Sequence, residues 1–383
     1  MSSTTNILGS LPTAPVNLAP GGGPLLAVQP CAQCDEAHLN PMFMSYADVP
    51  LEIVEGIIGS VADPLELYRL SRLCSKFRAL VIYVLHGRLS NMLKGFGMED
   101  SQEFLRLLRR HGIYCAGPTL LPLLFPNVAS PCPTRLELHV HNRPTVLAAL
   151  IDHLHSAGYG SDELHDGQWG VDYFATQYLE YPAFGQTLRR IMRLTKLVYG
   201  VLKEVIIFVS KSELTGFLSI TEYPTTLLMV YTDGINLHVL YPYLTGRRRG
   251  LINLPFPRPP SAVTLPPILR SLLPTFDLKV RLTDWPEYRF HLCEHNGYCP
   301  LRLRHQLDHR GLSLGCTMEH PELRPYRPRH RNRILIPQPI PQKPTLCIWR
   351  LRCCASCIGN MPYPDQPVNH TGVYIASDLF ITD

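Results

Sequence analysis

Proline sets the first constraint on this chain. It stands at 36 of 383 positions and concentrates in Leu11–Pro30, Pro255–Pro267 and Pro321–Pro344. Proline lacks an amide hydrogen and has a fixed φ, so helix interiors and central strands do not run through such stretches. They read as linkers or extended loops and confine regular structure to the residues between them.

The first 44 residues, up to Met44, are rich in Ser, Thr, Pro and Gly and include Gly21-Gly22-Gly23. They hold too little apolar surface to offset the entropy of ordering, so residues 1–44 are expected to be disordered. Beyond them, 45% hydrophobic residues overall provide ample core material. At about 150 residues per domain, the length accommodates two or three modest domains.

The apolar pattern sharpens after Asp48. Leu51, Val54, Ile57, Ile58 and Val61 recur at helical spacing, and Pro50 suits a first helical turn. In Asp63-Pro64-Leu65-Glu66, Asp63 fits an N-cap and Glu66 the third position of a capping box. Leu67, Leu70, Leu73, Cys74 and Phe77 continue the stripe, and Arg78–Leu93 gives a third helical segment. Three short helices over residues 45–95 predict a small orthogonal bundle.

Residues 96–255 read differently. Ser101–Arg110 is an amphipathic helix stopped by Gly112, and Ile113–Phe125 reads as strand, turn and helix. Arg135–His141 alternates as a half-buried strand, Val146–Ala157 is a helix, and Val205–Val209 is a β-branched central strand. Strands alternating with helices predict an α/β layer. In residues 256–383 the signal weakens to loops, with strands expected at Tyr288–Leu292 and Leu346–Arg352. The fold class expected is therefore α+β: a helical bundle, a mixed α/β region and a loop-rich C-terminal part.

Charge and targeting exclude several functions. The formal net charge is only +5, so nucleic acid is not an expected partner. Arg247-Arg248-Arg249 and the run Arg324–Arg333 read as solvated loops. Met1–Gln29 lacks the basic start and apolar run of a secretory signal, and no apolar run reaches about eighteen residues. The expectation is a cytosolic or nuclear protein without a membrane partner, its 12 cysteines mostly reduced.

Metal-ligating residue types occur at awkward spacings. His291, Cys293, His295 and Cys299 are the densest group, yet their alternation is not a usual finger pattern. Cys31 and Cys34, with His38 nearby, make half a site, which Cys353, Cys354 and Cys357 would have to complete. His139 and His141 read as a solvated strand face. No metal or cofactor is expected.

The segment Val49–Val54 followed by Leu65–Arg78 resembles an F-box, whose pattern opens Leu-Pro-x-Glu-Ile and turns into its third helix at Cys-x-x-aromatic/Arg. Val49 stands where Leu is commoner and Phe77 where Trp is common. The resemblance implies a Skp-type adaptor as partner, with Pro50, Leu51, Ile53, Val54, Ile57, Leu70, Leu73 and Phe77 on the docking face, and an unidentified client elsewhere. The null alternative is an internal helical core packed on the next domain.

A second resemblance covers Gly112–Phe125, Pro133–Val140, Tyr159, Ile206–Ser210 and Tyr231–Asn253. These stretches resemble a family of proteins of mushroom-type (basidiomycete) fungi, many of which look like degenerate nucleotidyltransferases. Gly234–Thr245 and Arg249-Gly250-Leu251 match its middle stretch in outline. Active members of such a fold need two carboxylates on one strand face for a pair of divalent cations. Here those positions are Arg135 and Glu137, and the family's Gly-Ser turn is Gly117-Pro118. The resemblance therefore implies an inactive fold kept for binding. Two functions follow: a ubiquitin-ligase adaptor, or a pseudoenzyme that binds nucleotide or nucleic acid, its helical start purely structural. Glu137, Asp152 and Glu204 gathered around one cleft would favour the second.

Overall fold

The computed structural model describes residues 51–61, 63–128, 134–161, 187–253, 267–291 and 310–317. It also describes positions 265, 299, 304–305, 347–349, 351 and 374–375. The expectations for residues 1–44, Pro50, Cys293, His295, Cys353, Cys354, Cys357 and the Arg324–Arg333 run lie outside these residues.

Three helices come first: α1 (Leu51–Ser60), α2 (Pro64–Leu73) and α3 (Ser75–Gly95). Asp63 caps α2 through Leu65 N at 2.8 Å, and Pro64 occupies the first turn, where no amide hydrogen is needed. Glu66 pairs with Arg69 rather than reaching back as a capping box. On α3, Arg88 donates to Leu123 O and to Gly59 O, both at 2.6 Å, and so ties the end of α1 to the rest of the chain.

The junction after α3 is buried rather than open. Phe96 and Met98 are 3% and 2% exposed, and Tyr159 Oη donates to Phe96 O at 2.6 Å. Helix α4 (Ser101–His111) is capped by Asp100 and stopped by Gly112 at φ 60°, a left-handed conformation that costs glycine least.

A mixed α/β body follows. Eight strands form one sheet: β1 (Tyr114–Ala116), β2 (Arg135–Val140), β3 (Gly160–Ser161), β4 (Leu188–Val198), β5 (Val201–Ser210), β6 (Val230–Thr232), β7 (Asn236–Val239) and β11 (Leu312–Gly315). Their order is β11-β7-β6-β1-β2-β5-β4-β3. Only β2 and β5 pair in parallel, with helix α6 (Pro144–Ser156), β3 and β4 between them in the chain; the other pairs of this sheet are antiparallel. A short helix α5 (Leu121–Leu124) lies between β1 and β2. Another, α7 (Pro242–Gly246), follows β7, and strands β8 (Arg249–Leu251) and β9 (Asp277–Lys279) form a separate parallel pair flanking helix α8 (Pro267–Leu272). Strands β10 (Arg304–His305), β12 (Cys347–Trp349) and β13 (Tyr374–Ile375) make a third sheet.

Two expectations are corrected here. β2 is not half-buried: residues 136–140 are all buried, because β1 and β5 flank it and both faces are covered. Tyr288–Leu292 is not a strand where described. Pro286 starts a 3-10 turn through Tyr288, and Arg289 and Phe290 continue as turn. One apolar core runs from Ile58 and Leu67 in the helices, through Leu138 and Ile207 in the sheet, to Trp349.

Candidate functional site

Two places break the rule of apolar side chains inside and polar ones outside, in opposite senses. The first is the helical start. Ile53 and Ile57 on α1 are 54% and 58% exposed, and Leu73 at the end of α2 is 62% exposed. Tyr68 and Tyr83 are also exposed. Val54, Leu70 and Phe77 are half-buried and pack against the core instead. α1 and α2 thus divide their apolar residues: one set faces inward and the other faces water. For Leu51 only the backbone is described, as the first residue of α1.

The second place lies on β2. Its alternate residues Glu137 and His139 share a face, and both are sealed, at 3% and 0% exposure. A 3-10 segment, Phe217–Glu222, crosses that face and ends at Tyr223. Tyr223 Oη donates to Glu137 Oε2 at 2.5 Å and lies 2.9 Å from His139 Nε2. His139 Nδ1 in turn lies 2.6 Å from Ser219 Oγ, whose own geometry reaches Gly216 O at 3.0 Å. The result is an unbroken chain Glu137–Tyr223–His139–Ser219, with the His139 ring stacked on Phe208.

Two glycines make this approach possible. A Cβ on Gly117 would lie 2.4 Å from Glu137 Oε2 and 2.7 Å from Tyr223 Oη, and its φ of +90° already favours glycine. A Cβ on Gly216 would lie 2.7 Å from the backbone of His139.

Burial sets the charge state of the cluster. Desolvation pushes the Glu137 carboxyl up from the ordinary range, with the nearby Arg135 guanidinium and the Tyr223 hydrogen bond opposing it. The same burial lowers His139 to about 3, so its imidazole is neutral. The reading of His139 and His141 as a solvated strand face is corrected. His139 is neither solvated nor free to ligate, and His141 is buried, with Nε2 3.0 Å from His111 O.

Arg135, Glu137, Asp152 and Glu204, singled out in the sequence, have unlike partners. Arg135 lies 3.6 Å from Glu204 Oε2, and Arg193 pairs with the same carboxylate. Glu137 is committed to Tyr223, and Asp152 stands exposed on α6. These three carboxylates thus have separate settings rather than a common cleft. Among the described residues no three His, Cys, Asp or Glu side chains gather as a metal ion would need. His291 Nδ1 is turned to Tyr288 O at 2.7 Å, and Cys299 is buried.

Ser219 and Tyr223 escape a sequence reading. They lie 80 and 84 residues from His139, in a stretch without motif. The one available signal was the polar pair Glu137 and His139 inside an otherwise apolar strand. Compared with protein-family models, curated proteins and solved structures, this chain matches none.

Proposed function

We propose that this chain is a non-catalytic interaction protein. Its F-box-like helices dock on a Skp-type adaptor of a cullin-based ubiquitin ligase, and the α/β body meets a client. The observation that carries this reading is the exposure of Ile53, Ile57 and Leu73, apolar side chains that the protein's own core leaves uncovered. Helix-in-groove recognition uses anchors of this kind, three and four residues apart on one helix, as Ile53 and Ile57 are.

The β2 cluster argues against chemistry at the alternative site. An arginine at one cation position and a sealed, hydrogen-bonded carboxyl at the other leave no open carboxylate pair for metal-dependent transfer. Nucleotide binding by this face would require the Phe217–Tyr223 segment to lift away.

The test is co-purification with a recombinant Skp-type adaptor. Wild type should bind, and Ile53→Asp and Ile57→Asp should abolish binding while melting at the wild-type temperature. A wild-type protein that leaves the adaptor unbound overturns the reading.

A further inference from the structure

The β4–β5 hairpin carries a second uncovered apolar group. Its last three cross-strand pairs, Lys196↔Lys203, Leu197↔Leu202 and Val198↔Val201, lie beyond the rows that pair with β2 and β3. Three rows at about 3.3 Å each extend the ribbon about 10 Å past β2 and β3, while the α3–α4 connection covers one face at Val198, which is 6% exposed and lies beside Gly97. Tyr199 and Gly200, both at positive φ, form the tight turn at its apex.

The ribbon's exposed apolar side chains lie on its uncovered face and at its apex. Leu197 and Leu202 share one face, at 67% and 50% exposure; Val201, next to the apex on the other face, is 46% exposed, and Tyr199 at the apex is 87% exposed. A strand surface built to pair with another strand or sheet presents one apolar face. Here apolar side chains also cap the apex, which suits an interface entered tip first.

The base of the ribbon is cationic. Lys196 Nζ sits on Gly97 O and Ala157 O, and Lys203 Nζ lies 5.1 Å from the Phe96 ring. Lys94, in the last turn of α3 just before Phe96, is exposed. On the opposite face Arg193 and Arg135 both pair with Glu204. Glu99 and Asp100 follow in the α3–α4 connection, where Asp100 is committed to capping α4.

We propose that this hairpin tip is a membrane-surface attachment site for an anionic bilayer. Leu197, Tyr199, Val201 and Leu202 enter the interface, and the lysines at the base lie at the level of the headgroups. An apolar apex carrying an aromatic residue, with basic flanks, suits the boundary between headgroups and acyl chains. No described helix is long and apolar enough to cross a membrane, but attachment of this kind needs no span.

The full-length chain is tested against large unilamellar vesicles of phosphatidylcholine alone and of phosphatidylcholine mixed with phosphatidylserine. Tyr199→Trp should give a blue-shifted emission, measured as a difference from wild type, with the mixed vesicles and far less with phosphatidylcholine alone. In sedimentation, Leu197→Asp and Leu202→Asp should each lower vesicle partitioning on the order of tenfold or more. Lys203→Glu should weaken it less, and salt should weaken it in wild type. Leu197, Tyr199 and Leu202 are exposed and Lys203 is half-buried, and unchanged melting temperatures check that the variants fold. Wild type that stays in the supernatant with both vesicles overturns the proposal, and so does partitioning that survives Leu197→Asp and Leu202→Asp. Equal binding to both vesicles overturns the anionic assignment. Self-association through the tip without vesicle binding overturns it in favour of a second copy of the chain.

Discussion

The outer face of α1 and α2 and the inner face of β2 are mirror violations of the same rule. On the helices, isoleucine and leucine face water; under the Phe217–Tyr223 segment, a glutamate, a tyrosine, a histidine and a serine lie fully enclosed. The energetic consequences differ. An exposed apolar side chain costs the folded state little, because it was exposed in the unfolded chain as well. A buried polar group costs several kcal/mol unless each of its partners is present, so the β2 cluster is all-or-nothing. The comparison teaches that the surface violation is free to serve binding, whereas the buried one is bound to the fold.

Substitutions that separate the two regions range from several kcal/mol to almost nothing. The largest effect is expected at Gly117. Gly117→Ala adds a Cβ in contact with Glu137 and Tyr223 at a backbone position with φ +90°. Strain and overpacking together predict a loss of about 3 kcal/mol or more in chemical denaturation. Full retention of stability would mean that the cluster is not tightly closed.

Tyr223→Phe comes next. It removes the hydroxyl that joins Glu137 to His139 and leaves both without that partner in a sealed site. About 2–3 kcal/mol should be lost. A smaller loss would show that water or a shifted side chain replaces the hydroxyl.

A third test uses pH. Glu137 is raised in the folded state, so its contribution is fullest below the ordinary glutamate range. That contribution is lost as pH rises and the unfolded chain gives up its proton while the folded one holds it. Glu137→Gln cannot ionise, so its stability relative to wild type should climb as pH rises above the ordinary glutamate range. His139 has the opposite sign. It stays neutral in the folded state down to about 3, so stability falls as acid protonates the unfolded chain from its ordinary value of 6.5 downward. His139→Gln should flatten that acid limb.

The smallest stability effect belongs to the helical face. Ile53→Asp, Ile57→Asp and Leu73→Asp should each change stability by only about 0.5 kcal/mol, the usual range for surface positions. Their effect should fall on adaptor binding instead. A loss of several kcal/mol from any one of them would place that side chain in the core and dissolve the contrast.

Much of the local structure was legible in the sequence. Asp63-Pro64 marked the start of α2, Gly112 the end of α4, and the β-branched run Val205–Val209 a central strand that pairs with both β2 and β4. The polar members of β2 were read wrongly as solvated because alternation distinguishes two faces but not what covers each. Tyr288 read as a strand residue because aromatic content outweighed the turn that Pro286 imposes.

The sequence by itself determined where helices and strands begin and stop, since caps, prolines and periodicity act within a few residues. Only the tertiary structure decided that Tyr223 and Ser219 close over His139, that Glu204 serves two arginines, and which apolar side chains of α1 and α2 stay outside. These are contacts between residues far apart in the chain. Burial and hydrogen-bond partnership belong to the packed whole, and no local pattern encodes which distant side chain arrives to cover a given face.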